Sequence, residues 1–329
     1  MKYSITIPAY KARFFDECLQ SVLAQSYKDF ELIILNDCSP EPIKEIVSRY
    51  NDNRLRYYEN KANVGAKDVV YNWNKLLDLA NGEYLICMGD DDKLYPNCLE
   101  TYDKLLSQYP SKDIYHCRTQ VIDERSHFID IQEERPSEES MYSMIWNMMF
   151  KGRIQFIGDF LFKIEALREL GGFYYLPYAM ASDWVITFLA AKAHGIANTN
   201  TVLFQYRSTP FTITSTSKGK HLWKSTIKYK QCLIELLKDC PKDNLDQQYK
   251  HLILQHLDYN INKRQVDNIA TDLAQSHFKD TFYWFKHLKQ ISISYASFFY
   301  AILLGVYRLR AFRKKIYNAR RNDILATRE

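Results

Sequence analysis

Apolar runs and amphipathic stretches alternate along the first 120 residues of the chain. Tyr3–Pro8 is a short run of β-formers closed by proline. Phe14–Ala24 spaces Phe15, Leu19, Val22 and Leu23 along one helical face. Phe30–Leu35 reads as an apolar strand ended by Asn36-Asp37-Cys38-Ser39-Pro40, and Pro42–Tyr50 suits a helix with proline in its first turn. Leu55–Tyr58 is a third strand, and Val69–Ala80 a helix stopped by Asn81-Gly82. Tyr84–Met88 is again strand-like and runs straight into Gly89-Asp90-Asp91-Asp92. Pro96–Tyr109 then predicts a helix and Ile114–Val121 a strand. Strands alternating with helices indicate βαβ units and a mainly parallel sheet.

Further on the pattern changes. Asp123–Glu139 is polar and acidic and reads as a loop. Phe160–Lys163 is strand-like, and Glu165–Leu170 is a short helix ended by Gly171-Gly172. Ser182–His194 predicts a helix with Ser182 as its N-cap and Gly195 just past its end. Thr201–Arg207 follows as a strand, and Pro210–Gly219 as a loop or boundary. Beyond about His221 the pattern is almost wholly helical, and no internal repeat is present. The expected organisation is an α/β domain over residues 1–215 and a helical region over 216–329.

Composition narrows the class without naming a function. Apolar residues make up 47% and charged residues 25%, ordinary for a globular chain. The seven cysteines show no C-x-x-C spacing, so a reduced, cytoplasmic protein without a disulfide framework or zinc site is expected. Met1-Lys2 leads directly into a strand-like run, so no signal peptide is expected. The net charge of +5 is unevenly placed. Residues 291–329 hold eight Lys/Arg and two Asp/Glu, which leaves the rest of the chain near neutral. A nucleic-acid binder is not expected from a near-neutral body with a basic tail.

Three places carry candidate chemistry. Asp90, Asp91 and Asp92 directly follow a strand, where ligands of open α/β sheets bind. Adjacent carboxylates repel, and hard oxygen donors suit Mg²⁺ or Mn²⁺ held together with substrate phosphates. The plainer alternative is a solvated turn before the next helix. Asp37 ends another strand and can accept from a base or ribose, or simply close an Asx-turn. Asp183 opens a helix, where it can serve the helix dipole or act as a base toward an acceptor hydroxyl. There is no G-x-G-x-x-G, P-loop, G-x-S-x-G or H-E-x-x-H.

Taken in order, these segments resemble the family 2 glycosyltransferases, whose fold is GT-A, over roughly residues 2–210. Ser4-Ile5-Thr6-Ile7-Pro8-Ala9-Tyr10 resembles the opening strand whose end cradles the nucleotide, and Asp37 stands at the base-binding aspartate. Asn72-Trp73-Asn74 and Ala80-Asn81-Gly82-Glu83-Tyr84 resemble one branch's approach to its metal motif, which Gly89–Asp92 then matches. Gly171-Gly172-Phe173 followed by Ser182-Asp183-Trp184 resembles the acceptor-side segment, and Gln205-Tyr206-Arg207 the strand after it. Two departures stand out. Many members have Asp where this chain has Gly89, and many carry a histidine after the Tyr-Arg pair, where this chain has Ser208-Thr209-Pro210.

The resemblance implies an inverting transfer from a nucleotide-diphosphate sugar, with UDP favoured, to a sugar or lipid-linked sugar acceptor. It implies Asp183 as the base; Pro8, Ala9, Tyr10, Asp37, Asn72, Asp90 and Asp91 as donor-binding residues; and Asp91 with Asp92 as metal ligands. A nucleotidyltransferase or a non-catalytic, membrane-docked scaffold are the alternatives. The tail adds a partner. Ile291–Tyr307 lacks charge and seven Lys/Arg follow between Arg308 and Arg321. Ile302, Val306, Leu309, Phe312 and Ile316 would form one helical stripe, with Arg310, Arg313 and Lys314 pointing elsewhere. Residues 291–321 are therefore expected either to lie on an anionic membrane surface, at the inner face of the membrane, or to pack on the protein.

Overall fold

The structure, a computed structural model, describes residues 1–209 and 219–326, with side chains described through residue 310 apart from His221. The expected loop Pro210–Gly219 lies outside the described residues up to its last position. The chain packs as two compact units, Met1–Ser215 with Cys232–Ile253, and Thr216–Gln231 with Leu254–Glu329.

The first unit is built on one sheet. Its strands are β1 (Tyr3–Ala9), β2 (Phe30–Asn36), β3 (Leu55–Glu59), β4 (Tyr84–Cys87), β5 (Lys93–Leu94), β6 (Ile114–Ile122), β7 (Phe128–Ile131), β8 (Glu138–Glu139), β9 (Phe160–Lys163) and β10 (Ile196–Arg207). The helices between them are α1 (Phe15–Leu23), α2 (Ile43–Val47), α3 (Val69–Leu79), α4 (Cys98–Gln108), α5 (Met141–Phe150), α6 (Ile164–Glu169) and α7 (Ser182–Ala191). The strand order is β3-β2-β1-β4-β9-β6-β10-β5, with β7 beside β6 and β8 beside β10. The run β3-β2-β1-β4 is parallel throughout. β9 then enters antiparallel to both β4 and β6, and β6 with β10 is parallel again. This α/β arrangement is thus parallel on its first half and mixed on its second.

Register explains where a site can form. Ala9 lies opposite Asn36, and Thr6 opposite Cys87, so β1, β2 and β4 end on the same edge. The segments that follow, with Tyr10, Asp37 and Gly89–Asp92, therefore emerge together at the carboxyl ends of parallel strands. Every residue of β2 is buried, including Glu31. Its carboxyl accepts from Ser4 Oγ and the Asn81 amide, both at 2.7 Å, and pairs with Arg56. Burial alone would raise the Glu31 pKa, but these partners hold it below its ordinary value.

Four expectations change in detail. The expected loop Asp123–Glu139 contains β7 and β8; β7 is largely exposed, so its polar residues hid a real strand. α5, which carried no assignment, is capped by Ser140, whose side chain accepts from the Ser143 amide at 3.1 Å. Pro42 sits at the N-cap of a helix only five residues long, not inside it. Ser182 does not cap α7: Ala181 takes that position in the left-handed region, and Ser182 Oγ instead accepts from the Leu176 amide at 3.0 Å.

The remaining helices are α8 (Gly219–Leu236), α9 (Asn244–Gln275), α10 (Thr281–His287) and α11 (Tyr295–Ala326). The second unit has its own core of Trp223, Ile269, Leu273, Trp284, Ile291 and Phe298, among others. Trp284 is fully buried and donates its indole N–H to Asp272 at 2.8 Å. α11 crosses α9 at Gly305, where a Cβ would meet the Ala270 carbonyl at 3.1 Å. Three residues on, Arg308 holds the crossing by donating to Asp267 O and Oδ1 and to Thr271 Oγ1.

A buried polar cluster lies between β6 and β9. Asp159 accepts from Thr119 Oγ1 at 3.0 Å, Gln132 Nε2 at 2.6 Å and the Phe156 amide at 3.1 Å. His116 stands 3.8 Å away, Arg135 lies alongside, and Arg153 pairs with Glu139 at 2.8 Å. Burial pushes the Asp159 carboxyl from 3.8 up to about 7, against the pull of Arg135. Between those two values the folded chain keeps a proton that the unfolded chain releases, so this group's contribution to stability falls as pH rises toward 7. His116, kept neutral by burial, works in the opposite sense below its ordinary 6.5. Comparing the parent with Asp159→Asn isolates the first effect. The parent's stability advantage over the variant is expected to grow by on the order of 2 kcal/mol between about pH 8 and about pH 5. Urea unfolding at the two pH values measures it, and a difference independent of pH would mean that Asp159 is ionised in the folded chain.

Candidate active site

On the β2 side, Asp37 is held by a compact amide network. Its amide donates to the Ala9 carbonyl at 2.9 Å, which ties the ends of β1 and β2. Its Oδ1 accepts from Asn60 Nδ2 at 2.7 Å and from the Val64 amide at 3.1 Å. The same Asn60 amide donates to Asn72 Oδ1 at 2.9 Å, while its carbonyl accepts from Lys75 at 2.6 Å. Asn60 thus joins Asp37 to α3, and the sequence reading had singled out only the two ends, Asp37 and Asn72.

The acid turn after β4 is where the three carboxylates separate in role. Asp90 Oδ2 accepts from the amides of Tyr10 and Lys11, both at 2.7 Å, fastening the turn to the end of β1 just past Pro8 and Ala9. Asp92 accepts from the Arg207 amide at 2.9 Å and the Gly89 amide at 3.3 Å. Asp91 is half-buried, and its carboxyl receives no hydrogen bond from another described residue. Burial raises all three carboxyls, and mutual repulsion adds to it at Asp90 and Asp92; Asp90 reaches about 6. Lys11 and Arg207 oppose the rise at Asp91.

Arg207 is the residue behind the turn. It is fully buried, yet its guanidinium is surrounded by acceptors. Nε donates to the Asp91 carbonyl at 2.9 Å, and Nη1 to the carbonyls of Asp123 and Glu124 and to Ser126 Oγ at 3.1–3.4 Å. Nη2 donates to Glu17 at 2.9 Å, and the Phe14 ring lies 4.2 Å away.

The third element is the segment that brings in Asp183. Asn74 on α3 pairs with Phe173 in both directions, accepting from its amide at 2.7 Å and donating to its carbonyl at 3.1 Å. Gly172 (φ +90°) has no room for a side chain, since a Cβ would lie 2.4 Å from Asn74 Oδ1. Tyr178, Ala179 and Ala181 then adopt positive φ, a concentration of backbone strain directly before α7. Asp183 stands in the first turn of that helix. Tyr206, stacked on Phe156 with centroids 3.8 Å apart, feels Asp92, Asp91 and Asp183 together. Burial and these negative charges raise its hydroxyl pKa. The acid turn and Asp183 therefore both lie within electrostatic reach of Tyr206. No trio of His, Cys, Asp or Glu among the described residues converges to hold an ion by itself.

The glycosyl transferase family 2 profile matches residues 4–170, just over half of the chain. The chain belongs to glycosyl transferase family 2. It is similar to an uncharacterized glycosyltransferase of Rickettsia typhi, 32% identical over 42% of this chain and 43% of that one. It is also similar to the putative colanic acid biosynthesis glycosyl transferase WcaA of Escherichia coli, 40% identical over 26% and 30%. The putative teichuronic acid biosynthesis glycosyltransferase TuaG of Bacillus subtilis matches at 34% identity over 30% and 38%. Each match spans less than half of the relative's length. Among solved structures, S. aureus TarS 1–349 with UDP-GlcNAc has a TM-score of 0.63 at 15% identity, covering 97% of this chain and 92% of that one. At that identity the likeness speaks for the fold.

Membership in family 2 makes the departure at Gly89 informative. A Cβ there would lie 2.8 Å from Asp92 Oδ2 and 3.1 Å from Asp91 Oδ1, so the turn as built accepts only glycine without rearrangement. Arg207 and Asn60 are the residues sequence reading left without a role. A strand ending in Tyr-Arg was visible, but nothing local announced that the arginine turns inward. Replacing it tests that geometry. Arg207→Lys keeps the charge but loses the planar fork, and is expected to lower stability by on the order of 3 kcal/mol. An unchanged urea midpoint would show that the guanidinium braces nothing.

Proposed function

We propose that this chain transfers a glycosyl group from a nucleoside-diphosphate sugar to a hydroxyl acceptor with inversion at the anomeric carbon. The observation that carries the reading is a family 2 match with Asp91, Asp92 and Asp183 all within electrostatic reach of Tyr206. The acceptor oxygen attacks the anomeric carbon, the bond from that carbon to the diphosphate oxygen breaks, and the acceptor proton passes to the Asp183 carboxylate. The strained residues 178–181 lead directly into the helix whose first turn carries Asp183. Asp37, braced by Asn60, receives the base or ribose, and the segment Pro8-Ala9-Tyr10 lies against the donor. A UDP-sugar is the donor in this reading.

The donor set fits Mg²⁺ or Mn²⁺. Asp91 offers an uncommitted hard oxygen ligand, Asp92 stands behind it with its oxygens on backbone amides, and repulsion within the turn favours a cation. When bound, the ion supplies positive charge for the departing diphosphate. With so few protein ligands, its remaining positions fall to phosphate and water.

The acceptor in this reading is a sugar or lipid-linked sugar in cell-surface polysaccharide synthesis, the field named for WcaA and TuaG. The protein is peripheral on the cytoplasmic face of a membrane. A nucleotidyltransferase would instead release pyrophosphate, and product analysis by mass spectrometry separates the two.

Two substitutions test the assignments. Asp91→Asn replaces a charged oxygen ligand with a neutral amide and is expected to abolish the Mn²⁺ dependence of UDP binding. Calorimetry giving equal Mn²⁺-dependent binding in variant and parent would remove Asp91 from the metal. Asp183→Asn is expected to retain donor binding while turnover drops on the order of a hundredfold or more. Its helix stays folded, since a first-turn charge contributes less than about 1 kcal/mol. Turnover equal to the parent's would put the base elsewhere.

A further inference from the structure

The apolar surface of the second unit is not the one its sequence pattern suggests. Of the expected stripe, Ile302, Val306 and Leu309 are half-buried, while Phe312, Ile316, Arg313 and Lys314 lie outside the described side chains. Exposed instead is a ladder one helical turn apart along α11: Tyr295 (74% exposed), Phe299 (62%), Leu303 (53%) and Tyr307 (70%). The opposite face, with Phe298, Ala301 and Gly305, packs inward. α10 extends the ladder. Its exposed Phe285 lies 6.0 Å from Tyr295, ring to ring, and exposed Phe282 sits one turn earlier with Lys286 over its ring at 4.4 Å.

Along α10 and most of α11 the charge has one sign. From Thr281 to Asn322 the sequence holds no Asp or Glu. It holds Lys286, Lys289, Arg308, Arg310 and five more Lys/Arg between Arg313 and Arg321. Arg308 is committed to α9, and Arg310 follows Tyr307 along the ladder. Ile291–Tyr307 is also not one spanning segment: the helix starts only at Tyr295, and no described helix is long and apolar enough to cross a membrane.

We propose that this aromatic ladder is a docking face for an anionic lipid bilayer, entering the headgroup region with α11 lying in the plane of the surface. It deepens the peripheral-membrane part of the proposed function and is independent of the transfer chemistry. Large rings with polar tips suit the interface, where the ring body leaves water and the tyrosine hydroxyl stays wet. Basic residues beside such a face are drawn to anionic headgroups. A second copy of this chain fits less well, because pairing two such faces brings two basic runs together.

The test uses the full chain and a Phe299→Ser/Leu303→Ser/Tyr307→Ser variant, all three side chains being exposed, with circular dichroism to confirm equal helicity. Both are floated with phosphatidylcholine vesicles, with and without phosphatidylglycerol. The parent is expected to float with the phosphatidylglycerol vesicles, more weakly at high salt, and the variant to lose about tenfold or more of that binding. Phe128→Ser, at an exposed aromatic of β7, is expected to float like the parent. A parent that does not float, or a variant that floats equally, overturns the proposal. So does a parent dimer that the variant dissociates in sedimentation while neither binds vesicles. UDP calorimetry on the same proteins reports the transferase reading separately: its failure with flotation intact would sink that reading and leave the docking face.

Discussion

A fully buried guanidinium can persist only if nearly every one of its N–H groups finds an acceptor, and that requirement at Arg207 organises the surroundings of the acid turn. The carbonyls of Asp123 and Glu124 and the Ser126 hydroxyl must turn toward it, which fixes the corner between β6 and β7. Glu17 and Phe14 must lie against it, which fixes the start of α1. The Asp91 carbonyl must face it as well, so the backbone of the acid turn faces inward there while the Asp91 carboxyl has no donor among the described residues. The cation also opposes the rise that burial causes at the Asp91 carboxyl. One side chain at the end of β10 therefore does what no residue inside the Asp-Asp-Asp run could do for itself.

The Asp183 side is delivered by different physics. Asp37 and the acid turn sit at strand ends, where parallel register sets their positions with little freedom. Asp183 instead follows a segment with three non-glycine residues in the left-handed region, a conformation that persists only when its surroundings over-determine it. The surroundings are visible. Asn74 clasps Phe173 in both directions, Trp73 and Phe162 pack edge-on against the Phe173 ring, and Ser182 Oγ holds Leu176. α3 thereby serves both sides, since Asn72 meets Asn60 and Asp37 at one position and Asn74 meets Phe173 two residues later.

Legibility in the sequence followed how local each cause is. β1, β2 and β9 were readable because their apolar runs face a core on both sides, and a run of that kind has few other uses. β7 and β8 were not, because an exposed edge strand reads as polar loop, and their pairing to β6 and β10 is decided by residues far along the chain. The three acidic residues stood out, but their separate roles depend on amides from Tyr10, Lys11, Gly89 and Arg207, which no local pattern brings together. The tail shows the same limit. Its periodicity correctly marked a helix with two faces, but which face packs is decided by Gly305 and Arg308 meeting α9, and that contact left the Tyr295 to Tyr307 line outside.

Gly89 shows how these constraints combine into one solution. At position 89 this chain has a residue with no side chain, and the inward-turned carboxyl of Asp92 lies where a side chain would begin. Asp92 turns inward because its oxygens satisfy the amides of Gly89 and Arg207. A side chain at position 89 would strike Asp92 Oδ2, the oxygen that accepts from the Gly89 amide, so it could be accommodated only if that carboxyl shifted. Glycine at 89 and the inward turn of Asp92 are therefore one structural choice, with the second Asp92 oxygen held by the Arg207 amide, and among the described residues no donor reaches the Asp91 carboxyl.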